Sequence, residues 1–309
     1  MRAKTPKSHL GAELQVGSSL RARTASIGAF SPAKNGASAP RGSSSLHATL
    51  RSPLATVFLI GAGPGDPELL TVKALRILQS ADIVLHDSLL GPTILDLVPA
   101  SAQRVDVGKR AGFRLLTQSD INSLLVDAAS KHKTVVRLKG GDPLLFGRAS
   151  EEIEALRAAN IPFEVVPGIS AAFGAAAAAK VSLTDRRLAS HVLFTTFSRA
   201  PESQFLPGIG LTAETTVVVY MPGPDYAEVS RWLQDASVSP ETPVLVISKA
   251  SHPDQSQHAT TVCGLAQRNP LPAPALLIVG RVAASASDSA STFNWLNDAV
   301  PDLSKSLLS

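Results

Sequence analysis

The chain reads as an α/β protein, with a mostly parallel, layered N-terminal domain followed by a second α/β domain. Three observations predict this class. Short apolar runs rich in Val, Ile and Leu alternate with segments of helical period from residue 56 onward, the pattern of strand–helix–strand units. The first run opens into a glycine-rich turn, Gly61-Ala62-Gly63-Pro64-Gly65-Asp66-Pro67. Three more unusual segments, His86-Asp87, Gly108-Lys109-Arg110 and Gly140-Gly141-Asp142-Pro143, fall at the ends of later runs. In parallel sheets ligands sit beyond the carboxyl ends of strands, so this convergence says more than any one motif.

The elements follow in order. Val57 to Ile60 is a buried strand, and Leu70, Ala74, Ile77 and Leu78 share one helix face after the turn. Ile83-Val84-Leu85 is a second strand, Ile94, Leu95 and Val98 return to helical spacing, and Arg104 to Val107 alternates like a strand. Thr117 and Asp120 form a capping-box pattern before a helix carrying Ile121, Leu124, Leu125 and Ala128 on one face. Thr134 to Leu138 is a strand, Ala149 to Asn160 a helix, and Phe163 to Val166 a fifth strand. Pro167-Gly168 breaks the pattern, and an alanine-rich helix follows. His191–Thr196, Thr215–Met221, Pro243–Ser248 and Ala275–Val279 read as strands of the second domain, with a helix over Tyr226–Asp235 and loops at 200–210, 222–224 and 269–274. A short helix is expected at Asn294–Val300. The division is a basic extension over 1–54, an α/β domain over 55–167, a second over 168–290, and a tail over 291–309.

Composition narrows the function. The 309 residues are 44% apolar and 17% charged, ordinary for a globular enzyme, and no apolar run reaches the length of a membrane span. Residues 1–54 carry a net charge of +7 and the remainder −3, so the overall +4 describes the extension and gives no footprint for nucleic acid on the body. The extension is rich in Ser, Ala, Arg and Gly and fits either a disordered tail or a transit peptide. One cysteine, Cys263, leaves no internal disulfide and no Cys-x-x-Cys site, and the seven histidines show no ligand spacing; no metal is expected.

The first turn is not a dinucleotide fingerprint: its glycines fall at Gly61, Gly63 and Gly65, and two prolines stiffen it. By the residues alone it is a ligand cradle or a plain tight turn. Asp87 reads as a polar turn residue, Met221 as core, Arg148 as a helix-start surface residue, and Lys109 and Arg110 as solvated charges or carboxylate binders. Arg137 stands out as a charge inside an apolar strand.

Taken together, Gly61-Ala62-Gly63-Pro64-Gly65-Asp66-Pro67-Glu68-Leu69-Leu70-Thr71, Val107-Gly108-Lys109-Arg110, Val136 to Pro143 and Phe146-Gly147-Arg148 resemble the uroporphyrinogen-III C-methyltransferases of the tetrapyrrole methylase superfamily. The resemblance runs from about Val57 to about Val282. It implies the two-domain tetrapyrrole methylase fold, with a mixed-sheet C-terminal domain, S-adenosyl-L-methionine in the cleft, a homodimer, and two methyl transfers to uroporphyrinogen III giving precorrin-2 for sirohaem or cobalamin synthesis. By this likeness Asp87 is the proton acceptor and Lys109 the donor. Pro64, Gly140, Gly141, Asp142, Leu145, Ser170, Ala171, Met221 and Ala250 take cofactor positions, and Arg110 and Arg137 meet substrate carboxylates. Departures lie on the substrate side: Ser88 stands where an arginine is usual, and the 180–186 and 196–198 stretches differ. The alternatives are a methylase of the same fold acting on a later precorrin, RNA or a diphthamide precursor, and a cofactor-binding protein without catalysis. The cytoplasm is the expected compartment, or a plastid if the extension is a transit peptide.

Overall fold

The structure, a computed structural model, describes residues 55–108, 116–198 and 211–286. Its first half is built on a five-stranded parallel sheet of β1 (Thr56–Gly61), β2 (Ile83–His86), β3 (Gln103–Asp106), β4 (Thr134–Lys139) and β5 (Phe163–Val166), in the order β3-β2-β4-β1-β5. Helices α1 (Val72–Leu78) and α2 (Pro92–Leu95) bury Ala74, Ile77, Leu78 and Ile94 against Ile60, Val84, Val136 and Leu138 on one face. Helices α3 (Gln118–Lys131) and α4 (Ala149–Ala158) bury Ile121, Leu125, Ala128 and Leu156 against Val57, Leu59, Ile83, Leu85 and Val135 on the other. Each fully buried leucine of this kind is worth about 2–5 kcal/mol against alanine. The strands are apolar on both faces because helices cover both.

Local chemistry sets the helix starts. Thr71 accepts a hydrogen bond from the Ala74 amide at 3.1 Å. Thr117 and Asp120 form the expected capping box, with Thr117 N donating to Asp120 Oδ2 at 2.8 Å and Asp120 N to Thr117 Oγ1 at 3.2 Å.

The second half has a mixed sheet of β6 (His191–Thr196), β7 (Thr215–Tyr220), β8 (Pro243–Ser248), β9 (Ser256–Thr261) and β10 (Ala275–Val279), in the order β6-β7-β10-β8-β9. β6 and β7 run parallel and the other neighbours antiparallel. The alanine-rich helix α5 (Ala171–Ala178) packs on one face with Val218, Leu245, Ile247, Leu276 and Ile278. Helix α6 (Tyr226–Asp235) covers the other, with Val217, Val219, Val244 and Leu277.

β9 departs from the sequence reading. Ser256-Gln257-His258-Ala259-Thr260-Thr261 has no apolar run, and it forms an edge strand because β8 offers a free ladder in the register Pro243↔Thr261 to Ser248↔Ser256. The helix expected at Asn294–Val300, the loop at 200–210 and the extension over 1–54 lie outside the described residues.

Candidate active site

The two glycine turns meet. Beyond β1 and β4, Gly141 N donates to Gly63 O at 2.8 Å and Gly63 N to Gly141 O at 3.2 Å, a bridge that joins the turns side by side. A Cβ on Gly61 would lie 2.6 Å from Gly141 O and from Gly168 N, and one on Gly168 would lie 2.3 Å from Gly141 O. Three backbones thus pack directly at the carboxyl ends of β1, β4 and β5, and any side chain would force them apart. Asp142 ties the arrangement down: its carboxylate accepts from Leu144 N at 2.8 Å and from Gly168 N at 3.1 Å.

The second half closes over this cradle. A Cβ on Gly174 of α5 would meet Pro64 at 2.6 Å and Ser251 Oγ at 3.0 Å, so Pro64, α5 and the turn after β8 are in close contact. Ser170 and Ala171 open α5 beside Gly141. Ser170 Oγ and Tyr220 Oη are 2.5 Å apart, and Ala172 N donates to the same hydroxyl at 3.2 Å. Burial pushes the Tyr220 hydroxyl pKa up, against the lowering effect of these two hydrogen bonds. The Phe146 ring packs on Tyr220 at 4.9 Å, linking the second glycine turn to β7.

The residues expected to bind the cofactor therefore come together. Pro64, Gly141 and Asp142 form the floor, Ser170 and Ala171 the start of α5, and Ala250 adjoins Ser251. Leu145 is half-buried beside them. Met221 is 45% exposed with φ of 50°, a left-handed turn residue rather than core. A Cβ on Gly140 would meet nothing nearer than Leu90 Cδ2 at 4.0 Å, so the backbone faces open space there. Asp66 Oδ2 is buried in the first turn without a hydrogen-bond partner among the described residues. Open backbone, apolar walls and an unpartnered buried acceptor fit a nucleoside-bearing cofactor.

A charged cluster stands beside the cradle. Asp87 follows β2 on the face carrying Ile83 and Leu85, and Arg137 and Lys139 follow Val135 on the same face of β4. Glu152 projects from the first turns of α4 onto that face. Arg137 Nη2 donates to Asp87 Oδ1 at 2.5 Å, Arg137 Nε to Glu152 Oε1 at 2.8 Å, and Lys139 Nζ to the same Oε1 at 3.0 Å. Arg137 Nη1 donates to Leu138 O at 3.1 Å. Arg137 is 2% exposed and Glu152 fully buried, while the Asp87 side chain is 32% exposed. Burial opposes the Arg137 charge, and the carboxylates of Asp87 and Glu152 outweigh it and raise its pKa. For Lys139 burial wins, helped by Arg137, and its pKa is lowered despite Glu152.

Arg137, expected to meet substrate carboxylates, has its ion-pair partners in Asp87 and Glu152 and is buried. Asp87 stands at the open end of the cluster. Lys109 and Arg110 lie outside the described residues. The sequence reading missed Glu152, Tyr220 as the partner of Ser170, and Ser251. For Glu152 a signal existed: it falls in the buried stripe Ala149, Glu152, Leu156 of its helix. Ser88 donates to Asp106 Oδ1 at 2.8 Å, where Gly108 N also donates at 2.9 Å, so it knits β2 to the turn after β3. Among the described residues no His, Cys, Asp or Glu group is arranged to hold a metal, and no helix is long and apolar enough to cross a membrane.

A parallel sheet whose glycine turns form a cradle, closed by a mixed-sheet half, with a carboxylate held at its side, defines a small-molecule enzyme of the two-sheet α/β class. The family model for tetrapyrrole (corrin/porphyrin) methylases matches residues 56–266, and the chain belongs to that family. It is 48% identical over 239 residues to a uroporphyrinogen-III C-methyltransferase of Paracoccus denitrificans, covering 76% of this chain and 83% of that protein. It is 48% identical over 235 residues to a siroheme synthase of Psychrobacter, covering 74% of this chain and 47% of that protein, so it spans about half the length of that relative. A crystal structure of uroporphyrin-III C-methyltransferase from Thermus thermophilus complexed with S-adenosylhomocysteine superposes with a TM-score of 0.64 at 35% identity, covering 74% of this chain and 93% of that one.

Proposed function

We propose that the chain is an S-adenosyl-L-methionine-dependent C-methyltransferase that methylates uroporphyrinogen III at two pyrrole carbons to give precorrin-2, the branch-point product for sirohaem and cobalamin. The observation that carries this reading is the juxtaposition of a backbone-lined cradle with an oriented, partly exposed carboxylate, Asp87. When bound, the cofactor supplies a methyl group already activated on a sulfonium sulfur, so transfer needs no metal and no covalent nucleophile. Pro64, Gly140, Gly141, Asp142, Leu145, Ser170, Ala171, Met221 and Ala250 would hold it, the glycines by close backbone approach and the apolar residues by excluding water. What remains for the protein is alignment, which can supply several kcal/mol of barrier reduction, and proton movement. The Asp87 carboxylate accepts the proton that the methylated ring system must release, on the oxygen not engaged by Arg137. Lys109 is the donor in this reading, and Arg110 meets a carboxylate of the polyanionic substrate.

The two sheets, each with its own core on both faces, support two domains divided near Pro167. The reading also carries a homodimer, which sedimentation at the assay concentration distinguishes from a monomer. The compartment we assign is the cytoplasm, or a plastid if residues 1–54 direct a fused reporter there.

The decisive experiment is anaerobic incubation with uroporphyrinogen III and S-adenosyl-L-methionine, followed by product mass and absorbance. A product heavier by two methyl groups is expected, with Asp87→Asn slowing it by about a hundredfold or more, in the range of general-base contributions. No product from protein that binds S-adenosylhomocysteine would move the assignment to another substrate of the fold.

A further inference from the structure

We infer that Glu152 is a positioning residue for the proton acceptor: buried behind the site, it holds the Arg137 guanidinium in the orientation that fixes Asp87. The inference rests on the reading of Asp87 given above and extends it to a residue that touches neither substrate nor cofactor.

The geometry runs in a line from α4 to the crevice. Glu152 Oε1 accepts from Arg137 Nε at 2.8 Å, and Nη2 of the same guanidinium donates to Asp87 Oδ1 at 2.5 Å. The planar fork transmits orientation: with Nε fixed and Nη1 donating to Leu138 O at 3.1 Å, the direction of Nη2 is set. Among the described residues the Asp87 carboxylate accepts from Arg137, and its side chain is 32% exposed.

Lys139 explains why a second anion is required. It lies two residues from Arg137 on the same face of β4, is buried, and donates to the same Oε1 at 3.0 Å. Two cations and two carboxylates balance. Without Glu152, two buried cations would compete for Asp87 alone, and Asp87 would be drawn inward. Such a network is a poor stabiliser, because apolar residues of equal volume often serve as well and desolvation of the ions is costly. Glu152 bears this cost with Oε2 left without a hydrogen-bond partner among the described residues. The four charges lie at the carboxyl end of the sheet, beside the cradle, where orientation matters most.

The test compares two charge-balanced variants, since removing Glu152 alone strands a buried cation and destabilises the fold. Lys139→Met with Glu152→Gln keeps an acceptor for Arg137 Nε; Lys139→Met with Glu152→Leu removes it. Both are measured for thermal midpoint, S-adenosylhomocysteine affinity, and kcat and KM in the anaerobic assay. The Leu variant is expected to lose at least about tenfold in kcat relative to the Gln variant, with cofactor affinity alike in the two and both folded at the assay temperature, as a misplacement of catalytic geometry predicts. Combined with Asp87→Asn, the Gln and Leu variants should differ by less than about twofold, because a residue acting through Asp87 has nothing left to position. Equal kcat in the two variants, or a tenfold gap that persists in the Asp87→Asn background, overturns the inference. Full activity of Asp87→Asn alone is a different result: it removes the role of Asp87 itself, and the positioning with it.

Discussion

Tyr220 shows how one side chain joins the halves of the site. Its hydroxyl meets Ser170 Oγ and the Ala172 amide at the start of α5, and its ring packs at a tilt against Phe146 from the other half. Replacing it with Phe removes both hydrogen bonds and leaves the Ala172 amide without that acceptor, a loss of about 1–3 kcal/mol measurable by urea unfolding. The pH dependence has a definite sign. Burial raises the Tyr220 pKa above its ordinary value of 10.0, so the folded state keeps the proton after the unfolded chain begins to lose it. This contribution is fully present below pH 10.0 and falls away as the pH rises through the raised value. Tyr220→Phe should therefore show a shallower loss of stability than the parent above that pH. An identical slope in the two proteins would mean that the hydroxyl is not buried as described.

Among the elements, α3 gives the most direct test of local sequence control. Its start is fixed by the reciprocal bonds of Thr117 and Asp120, and it carries Ile121, Leu125 and Ala128 onto the sheet face that also holds the Asp87–Arg137–Glu152–Lys139 cluster. Thr117→Ala should cost about 0.5–2 kcal/mol, read from the midpoint of denaturant unfolding, with no change in S-adenosylhomocysteine affinity. A change in that affinity would show that the cap also shapes the crevice. β4 illustrates the opposite case, an element whose pattern misleads. Arg137 and Lys139 alternate with apolar residues as solvent-facing side chains would, yet both are buried because α4 brings Glu152 down onto them.

For the molecule as a whole, the site is assembled from both halves, so ligand binding should stabilise them together. The floor comes from the turns after β1 and β4, the walls from α5 and the turn after β8. S-adenosylhomocysteine at a hundredfold excess over its Kd should add about 2.7 kcal/mol of stability, and scanning calorimetry should show a single transition moved upward. Two transitions, of which one moves, would place the binding residues within one half.

Most of the elements, and the family, are legible along the chain. Alternating apolar runs and helical stripes locate nine of the ten strands among the described residues and the helices bordering them, because both depend on the period of burial along a short stretch of chain. The glycine that opens the first turn was legible too, since at Gly61 close approach to the backbones of Gly141 and Gly168 excludes every other residue. β9 was not legible because an edge strand needs only a free ladder beside it. The partner of each charge follows from the three-dimensional packing. That Arg137 faces Asp87 and Glu152, that Lys139 shares an oxygen with it, and that Tyr220 holds Ser170 depend on residues between 13 and 50 positions apart meeting on one sheet face or across two halves. Pairing is a property of that meeting, and no pattern along the chain encodes it.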